Sequence, residues 1–239
     1  MNNDLLKNVR VDLDEPEHIK KLYDLYDKYQ YEYKDLYIKH LSSEEAALKQ
    51  EFPNVKFIPK ARIKSRYSYI SKVNKKIEEG KSGNIYDTFA NKYIICSVDG
   101  NDDEELLIHT CYKFVNFLSH YNNSLIEIKT KRKDYISHPK NTTYQALHMS
   151  RIHCYPNVFF TSETQLRTLS MEENAKYGKA SHKEVYKDRS TIDESMVPTY
   201  LIPSNFANSN GIYEVKELSF ADSFQYFYGL PYQESPYQL

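Results

Sequence analysis

The sequence predicts a mixed α+β fold in which helices pack on one β-sheet. Runs rich in β-branched and aromatic residues alternate with amphipathic segments, and the apolar spacing changes from two residues to three or four between them. Hydrophobic residues make up 40% of the 239-residue chain and charged residues 27%, which is ordinary for a globular protein. This composition argues against disorder throughout and allows one large domain or two small ones.

Helices are predicted first, over residues 16–51. Pro16 follows an acidic cluster, which is typical of a helix N-terminus, and leucines and tyrosines recur after it at helical spacing. The segment Ser42 to Glu45 has the composition of a break followed by a new start, so two helices are expected before Pro53.

Strands and helices then alternate. Residues 89–98 are rich in Tyr, Ile and Val, and residues 124–132 alternate between polar and apolar side chains. Gly80 and Gly83 close the helix that precedes them. In chain order, the predicted elements are a strand over 55–63, a helix over 66–79, a strand over 89–98, a helix over 103–120, strands over 124–132, 146–155 and 157–168, and a helix over 169–187.

Three regions follow from this pattern: an N-terminal helical region over 1–53, a domain over 54–190 and an irregular, aromatic-rich C-terminal tail over 191–239. The tail contains four prolines and one predicted helix near 218–228. No apolar run approaches the length of a membrane span, and the first residues lack the apolar core of a signal peptide. With three widely spaced cysteines that predict no disulfide framework, a cytoplasmic location is expected, with no membrane partner.

The charge distribution indicates an anion site in the middle of the chain. The formal net charge is only −1, but residues 54–82 carry nine Lys and Arg against two Glu. Within that stretch, Arg62 and Lys64 point the same way on a strand, and Ser68 and Lys72 share a helical face. They form either a polyphosphate cradle near a helix N-terminus or a solvated basic face.

Acidic residues offer a second kind of site. Asp87 enters a buried strand, where it is either a ligand of a hard metal ion or an ordinary turn or cap residue. Glu163, Gln165 and Arg167 lie on one face of a strand because side chains alternate with a period of two. A row of this kind is poor core material, so it faces water or lines a cleft.

A proline-containing loop carries the third group, with Lys140, Tyr144 and His148 before a strand. A tyrosine in such a loop is able to stack on a base while lysines hold phosphates. The alternative is a surface loop with a packing tyrosine and a hydrogen-bonded histidine.

Taken together, these motifs resemble the synthetase domain of RelA/SpoT-type alarmone synthetases, in particular the stand-alone small ones. The resemblance covers residues 55–187, with five motifs in the family's order. It implies a nucleotidyltransferase-like mixed sheet flanked by helices. The matching segments are Arg62-x-Lys64-x3-Ser68-x3-Lys72; Tyr86-Asp87 followed by Ala90; Lys133 to Ile136 with Pro139-Lys140 and Tyr144 to His148; Glu163-x-Gln165-Leu166-Arg167-Thr168; and Met171 to Lys187.

The resemblance implies a pyrophosphokinase that moves the β,γ-pyrophosphate of ATP onto a ribose 3′-hydroxyl and leaves AMP. It implies that Asp87 and Glu163 ligate Mg²⁺ and that Glu163 also accepts the hydroxyl proton. Tyr144 is the implied stacking residue for the acceptor base. The implied ATP-binding residues are Arg62, Lys64, Ser68, Lys72 and Lys92, and the implied acceptor-binding residues are Lys140, Tyr144, His148 and Gln165.

The sequence departs from the family pattern at four positions. Thr142 and Thr143 replace the usual Asn and Gly of the acceptor loop, Lys92 replaces an Arg that stacks on adenine, and Glu172 replaces a His. Because the loop builds the family's guanine pocket, its change argues against a guanine-nucleotide acceptor. ATP binding is expected to survive the change at position 92.

Two acceptor classes occur in the family. Some small members resemble toxins that modify the 3′-terminal adenosine of tRNA and are paired with an antitoxin protein, whereas others make (p)ppGpp or (p)ppApp from free nucleotides such as GDP or GTP. The altered loop and the local basic surface favour tRNA here.

Two functions without catalysis are also compatible with a basic, nucleotide-binding chain: an inactive nucleotide-binding regulator and a non-enzymatic nucleic-acid binder. Neither needs the carboxylates that the family uses for its metal ion. The retained Asp87, Tyr144 and Glu163 therefore argue against both.

Overall fold

The fold is an eight-stranded mixed sheet with four helices, within the part of the chain that the structure describes. This computed structural model describes residues 16–81, 85–97, 103–122, 125–140, 143–156, 158–177, 199–203 and 215–217. The helices are α1 Pro16–Glu51, α2 Arg66–Glu78, α3 Glu104–Leu118 and α4 Leu169–Tyr177. The strands are β1 Lys56–Ile63, β2 Phe89–Cys96, β3 Leu125–Glu127, β4 Lys133–Asp134, β5 Leu147–Tyr155, β6 Val158–Thr168, β7 Thr199–Pro203 and β8 Val215–Glu217.

The strand order is β3-β5-β6-β2-β1-β7-β8, with β4 paired to β5. Strands β2 and β6 are parallel, and the other pairs are antiparallel. The predicted mixed sheet flanked by helices is therefore confirmed. The parallel pair lies in the middle of the sheet, so side chains from chain positions far apart meet there.

One face of the sheet is packed against α1 and α3. Apolar side chains from both helices interlock with alternate residues of β1, β2, β5 and β6, as the period of two requires. A first cluster contains Leu48, Phe57, Tyr93, Ile95, Leu107, Cys111, Phe114, Val115, Leu118, Leu147, Met149 and Leu166. A second cluster joins α1 to the other end of the sheet through Tyr37, Leu41, Ala61, Ile63, Phe89 and Phe160.

The opposite face of the sheet is polar. Strand pairing places four polar residues in one row across β1, β2, β6 and β5, each paired with the next: Lys60, Lys92, Gln165 and His148. Directly paired residues project from the same face of a sheet. These side chains are therefore all turned away from the apolar core, which leaves this face for chemistry.

Helix α1 is one continuous helix, so the predicted break at Ser42 is wrong. The Ser42 hydroxyl donates to the Ile38 carbonyl oxygen at 3.2 Å, and Ser43 donates to Lys39 in the same way at 3.1 Å. Such bonds to the preceding turn let serines stay inside a helix. None of the helices in the described ranges combines the length and the apolar character that crossing a membrane requires.

Two further expectations differ from the structure. The segment over 124–132 forms only the short strand β3 followed by a 3₁₀ turn over Lys129–Lys131. The tail predicted to be irregular contributes β7 and β8, because β7 pairs with the free edge of β1. The predicted helix near 218–228 and the predicted end of the helix at 187 lie outside the described residues. The division of the chain after residues 53 and 190 stays a prediction.

A buried ionic network joins α1 to the core face of the sheet. The Glu44 carboxylate, which is fully buried, pairs with the Arg151 guanidinium through both oxygens. It also accepts a hydrogen bond from the Tyr93 hydroxyl at 2.7 Å and lies 3.0 Å from His40 Nε2. Burial would raise the pKa of Glu44, but Arg151 and His40 hold it well below its usual range. The network therefore contains a true carboxylate.

A buried histidine beside this network is expected to make the protein less stable at pH values under about 6.5. His153 lies 2.7 Å from the Ser162 hydroxyl and packs on Phe160. Burial, together with the neighbouring His40 and Arg151, lowers the pKa of His153 well below its usual 6.5, although Glu44 opposes this. Below that value the unfolded chain binds a proton that the folded chain excludes, so the free energy of unfolding decreases.

The measurement is urea unfolding at about pH 7.5 and 5.5, between which one such group changes the free energy of unfolding by up to about 1.4 kcal/mol. His153→Gln should reduce the difference between the two pH values, since glutamine keeps a hydrogen-bonding group without titrating. His109→Gln, at an exposed position of α3, is the control. An unchanged pH dependence in the His153 variant would contradict the assignment.

Candidate functional site

The first half of the site surrounds Asp87, at the point where β1 ends and β2 begins. Lys64 Nζ lies 2.9 Å from one carboxylate oxygen of Asp87, and Lys72 Nζ lies 2.8 Å from the other. The Lys64 backbone is fixed by its amide, which donates to the Thr88 carbonyl at 2.7 Å. The Tyr26 hydroxyl of α1 donates to the Lys64 carbonyl oxygen at 2.7 Å. The sequence-predicted cations therefore converge on the predicted carboxylate.

Helix α2 presents its N-terminus to this cluster. Ser65 is the N-cap, and its hydroxyl oxygen accepts from the Ser68 amide at 3.2 Å and donates to the Ser68 hydroxyl at 2.9 Å. The Ser68 hydroxyl keeps its own proton for another acceptor. Half-buried Arg62 adds positive charge close to Asp87. Two lysines, an arginine, a hydroxyl donor and a helix N-terminus form a surface that suits phosphate oxygens.

The second half of the site is built on β5 and β6 around Glu163. Gln165 Nε2 donates to Glu163 Oε1 at 2.8 Å, and His148 Nδ1 lies 3.3 Å from the same oxygen. Burial alone would raise the pKa of Glu163, as would the Asp87 charge, but His148 and Gln165 lower it to about 2. Glu163 is therefore a carboxylate at neutral pH, with its orientation set by two neighbours.

Two sets of contacts connect Arg167 to this carboxylate, one through Gln165 and one through Tyr144 and His148. Arg167 donates to the Tyr144 hydroxyl at 2.9 Å, and that hydroxyl lies 2.8 Å from His148 Nε2. Since Arg is only a donor, the Tyr144 proton is free to point at Nε2. His148 Nδ1 is buried near Glu163 Oε1 but has no hydrogen-bond partner among the described residues. Arg167 also donates to Gln165 Oε1 at 2.5 Å. Two routes thus run from Arg167 to Glu163.

The two halves approach each other where β2 runs beside β6. Parallel pairing of β2 with β6 places Ala90 opposite Glu163, and Asp87 precedes Ala90 by three residues. Repulsion from the Asp87 charge contributes to the pKa of Glu163, so the two carboxylates are within electrostatic reach of each other. Burial would raise the pKa of Asp87, but Lys64 and Lys72 bring it well below its usual range. Both carboxylates are therefore ionised at neutral pH and lie within electrostatic reach of each other.

The donor set suits Mg²⁺. This ion is usually held by one or two carboxylates with phosphate and water oxygens completing its octahedral shell. Asp87 and Glu163 supply two hard anionic oxygen donors. Among the described side chains, no group of three or more His, Cys, Asp or Glu residues is arranged to enclose an ion. The remaining ligands would then come from a bound phosphate and water.

The other predicted residues lie around this centre. Lys140 is exposed, and its backbone forms an isolated bridge with Tyr144 at the entrance of the acceptor loop. Lys92 lies in the register row between Lys60 and Gln165, but its ammonium is bound to Glu172, at 2.8 and 2.9 Å from the two carboxylate oxygens. Glu172 and Arg167 were not predicted as site residues from the sequence. The signals in the sequence were the alternation that put Arg167 in line with Glu163 and the departure from the family pattern at Glu172.

Comparison with known sequences identifies the region that carries this site. Residues 61–191 match the model of a region found in RelA / SpoT proteins. A guanosine-3′,5′-bis(diphosphate) 3′-pyrophosphohydrolase of Spiroplasma citri is 34% identical over 134 residues, which is 55% of this chain and 15% of that protein. A probable chloroplastic GTP diphosphokinase of Arabidopsis thaliana is 30% identical over 150 residues, which is 62% of this chain and 24% of that protein. The chain thus spans less than a quarter of the length of these relatives.

Solved structures show the same fold. Small alarmone synthetase 1 from Bacillus subtilis, bound to its product pppGpp, superimposes with a TM-score of 0.51 at 16% identity, over 69% of this chain and 82% of that one. A second structure of that synthetase gives a TM-score of 0.50 at 16% identity, over 68% of this chain and 81% of that one. At this identity the likeness concerns the fold alone.

Proposed function

Because this chain belongs to the RelA/SpoT family, whose model matches more than half of it, we propose that it is an ATP-dependent pyrophosphokinase. The reaction transfers the β,γ-pyrophosphate of ATP to a ribose 3′-hydroxyl. The bond between the ribose oxygen and the β-phosphorus forms, the bridging bond between the α- and β-phosphates breaks, and AMP leaves. This assigns a donor role to the Asp87 half of the site and an acceptor role to the Glu163 half.

The observation that carries the proposal is that two ionised carboxylates lie near one cationic pocket. Asp87 holds Lys64 and Lys72 at hydrogen-bond distance, and Glu163 lies within its electrostatic field. A protein that only binds nucleic acid has no need for carboxylates among its cations, since they repel phosphates. An inactive nucleotide-binding regulator likewise has no need for the oriented Glu163.

The chain's own side chains would divide the chemistry as follows. Lys64, Lys72 and the Ser68 hydroxyl bind the triphosphate, and Arg62 packs its guanidinium plane on the adenine. Asp87 and Glu163 would hold Mg²⁺, which would neutralise charge on the phosphates. Glu163 accepts the proton of the attacking hydroxyl.

The acceptor half would then work through Tyr144. Its ring stacks on the acceptor base, and one edge is held by Arg167 and His148. Lys140, exposed at the mouth of the loop, binds a phosphate of the acceptor. Gln165 keeps Glu163 oriented toward the hydroxyl.

For the acceptor we favour the 3′ end of tRNA, which would make the protein a translation-inhibiting toxin paired with an antitoxin protein. A basic band supports a polyanionic acceptor, because it runs from the donor pocket to the acceptor side. Lys76 lies near Lys72 and Lys131, and burial together with these like charges lowers its pKa. Lys129 and Lys133 continue the band as exposed residues. Neutralising such clustered charge favours binding of several successive phosphates.

Free guanine nucleotides are the second candidate. One relative is called a probable GTP diphosphokinase, and one structure of the same fold contains pppGpp. Acting on GDP or GTP would make this chain an alarmone synthetase rather than a toxin. The same donor pocket and the same carboxylates would serve both acceptors.

A transfer assay with γ-labelled ATP distinguishes the candidates. The protein is incubated with Mg²⁺ and with deacylated tRNA, GDP, GTP or unlabelled ATP in separate reactions. Label in tRNA alone is expected from the favoured proposal, and label in a guanine nucleotide alone would select the second candidate. No transfer to any acceptor, with intact folding, would contradict the pyrophosphokinase assignment.

Tyr144→Ala is expected to lower transfer at subsaturating acceptor by about 10- to 100-fold, because base stacking on an aromatic ring contributes about 1–3 kcal/mol. Binding of a non-hydrolysable ATP analogue should be retained, since Tyr144 lies in the acceptor half. Initial rates and calorimetry measure the two effects separately.

Tyr144→Phe is the matched control for this prediction. It keeps the ring but removes the hydroxyl that links Arg167 to His148. Its Michaelis constant for the acceptor should stay close to that of the unaltered protein, while kcat falls. Equal acceptor affinity in the Ala and unaltered proteins would exclude the stacking role.

A further inference from the structure

One carboxylate on α4 lies within ion-pair distance of four cations, three of them on β-strands. Glu172 is only 3% exposed, and both of its oxygens bind the Lys92 ammonium, at 2.8 and 2.9 Å. Arg167 lies 3.3 Å from one oxygen, and Lys176 and Lys60 lie 3.5 and 4.0 Å from the other. Burial would raise the pKa of Glu172, but Lys92 and Arg167 lower it. A buried anion thus fixes several cations at once.

Two of these cations lead into different halves of the site. Lys92, one of the implied ATP-binding residues, lies on β2 and is paired with Lys60 of β1. Arg167 lies on β6 and donates to both Tyr144 and Gln165 on the acceptor side. Glu172 therefore contacts both Lys92, on the ATP side of the site, and Arg167, which leads to Glu163 on the acceptor side.

An unsatisfied group marks the same place. The Arg167 Nε atom is buried and has no hydrogen-bond partner among the described residues. A buried N–H group without a hydrogen-bond partner is unfavourable, so this guanidinium is held in an incompletely satisfied position. The contact with Glu172 is 3.3 Å long, which leaves room for it to shorten. Arg167 is therefore able to move closer to Glu172 when another partner of this carboxylate leaves.

We propose that Glu172 is a positioning residue that couples the donor subsite to the acceptor subsite. This inference rests on the proposed function, because it needs a donor nucleotide near Lys92 and an acceptor on Tyr144. When the donor draws the Lys92 ammonium toward itself, the carboxylate loses its nearest partner and binds Arg167 more tightly. Arg167 then holds Tyr144 and Gln165 in place. Donor binding accordingly strengthens acceptor binding.

The sign of the coupling follows from competition for one anion. Lys92 and Arg167 both approach the same oxygen of Glu172, at 2.9 and 3.3 Å. A carboxylate shared by two cations binds each less strongly than it binds one alone. Since coupling between two ligands is reciprocal, the acceptor must strengthen donor binding by the same factor.

Calorimetry measures the coupling directly, without turnover. A non-hydrolysable ATP analogue with Mg²⁺ is titrated alone and in the presence of an acceptor, with deacylated tRNA and GDP as separate probes. In the unaltered protein, the acceptor is expected to bind about fivefold or more tightly when the analogue is present. In Glu172→Gln the ratio should fall to about one, because the neutral amide no longer attracts either cation.

Two further variants keep the test decisive. Glu173→Gln removes the same charge from an exposed position of the same helix and should leave the coupling unchanged. Glu172→Asp keeps the charge but is too short to contact Lys92 and Arg167 together. It should lose the coupling as Glu172→Gln does, which keeps the test available even if Glu172→Gln fails to fold.

The outcomes separate this inference from the proposed function. Full coupling in Glu172→Asp, or equal losses in Glu172→Gln and Glu173→Gln, would overturn the positioning role while leaving the pyrophosphokinase intact. Independent binding of analogue and acceptor in the unaltered protein would overturn it as well. If the unaltered protein binds no ATP analogue, the proposed function falls first.

Discussion

Replacing Glu163 by Gln is expected to lower kcat for pyrophosphate transfer by about a thousandfold, whichever acceptor is used. The substitution keeps the size of the side chain but removes the charge that would hold Mg²⁺ with Asp87 and receive the hydroxyl proton. Because the pKa of Glu163 is about 2, the loss should be the same across neutral pH. Rates at saturating ATP and acceptor between about pH 6 and 8 measure it.

Glu127→Gln is the matched control for this loss. Its carboxylate is also enclosed, with a side chain 4% exposed, and is held by the Arg132 guanidinium outside the site. Its kcat should remain within about twofold of the unaltered value. Near-normal transfer by Glu163→Gln would remove both the metal-binding and the proton-accepting role, and with them the division of the site into two cooperating halves.

Local signals in the sequence were sufficient to predict the helices that begin with a capping side chain. The predicted helices over 66–79 and 103–120 correspond to Arg66–Glu78 and Glu104–Leu118. Ser65 caps the first through its hydroxyl, and Asp103 caps the second through its carboxylate. Such contacts involve neighbours in the chain, so the amino-acid order contains them.

Distant contacts account for what the sequence did not predict. Ser42 and Glu44 have the composition of a helix break, but Glu44 binds Arg151, which is 107 positions away. That pairing lies in the core and holds the helix continuous across the expected break. The short strand β7 is likewise decided by the free edge of β1, which no local pattern reveals.

The site shows the same division between local and distant information. Lys64, Lys72 and Asp87 were predicted as a group because their motifs resemble those of one family. Glu172 was not, because its partners come from β1, β2 and β6 as well as from its own helix. On the sequence alone it is one of two adjacent glutamates and a departure from the family pattern, with no partner indicated. Only the register of the strands shows which of the two faces the cations.

Glu44→Gln is expected to lower the free energy of unfolding by about 3–5 kcal/mol, because it leaves the Arg151 guanidinium buried without a counter-charge. Arg151 is fully buried, and its Nε already lacks a hydrogen-bond partner among the described residues. Urea unfolding at neutral pH measures the loss. Glu45→Gln is the control, since that carboxylate pairs only with partly exposed Lys49 among the ion pairs of the described residues.

A double variant separates an unpaired charge from a general packing defect. Replacing Glu44 by Leu and Arg151 by Met removes both charges together and fills the same space with apolar atoms. Buried ion pairs replaced in this way often leave stability unchanged or raise it. The double variant should therefore recover most of the loss seen in Glu44→Gln. A double variant as unstable as the single one would mean that the pair fixes the position of α1 through its geometry, and then the contact between Tyr26 and Lys64, and with it ATP binding, should weaken too.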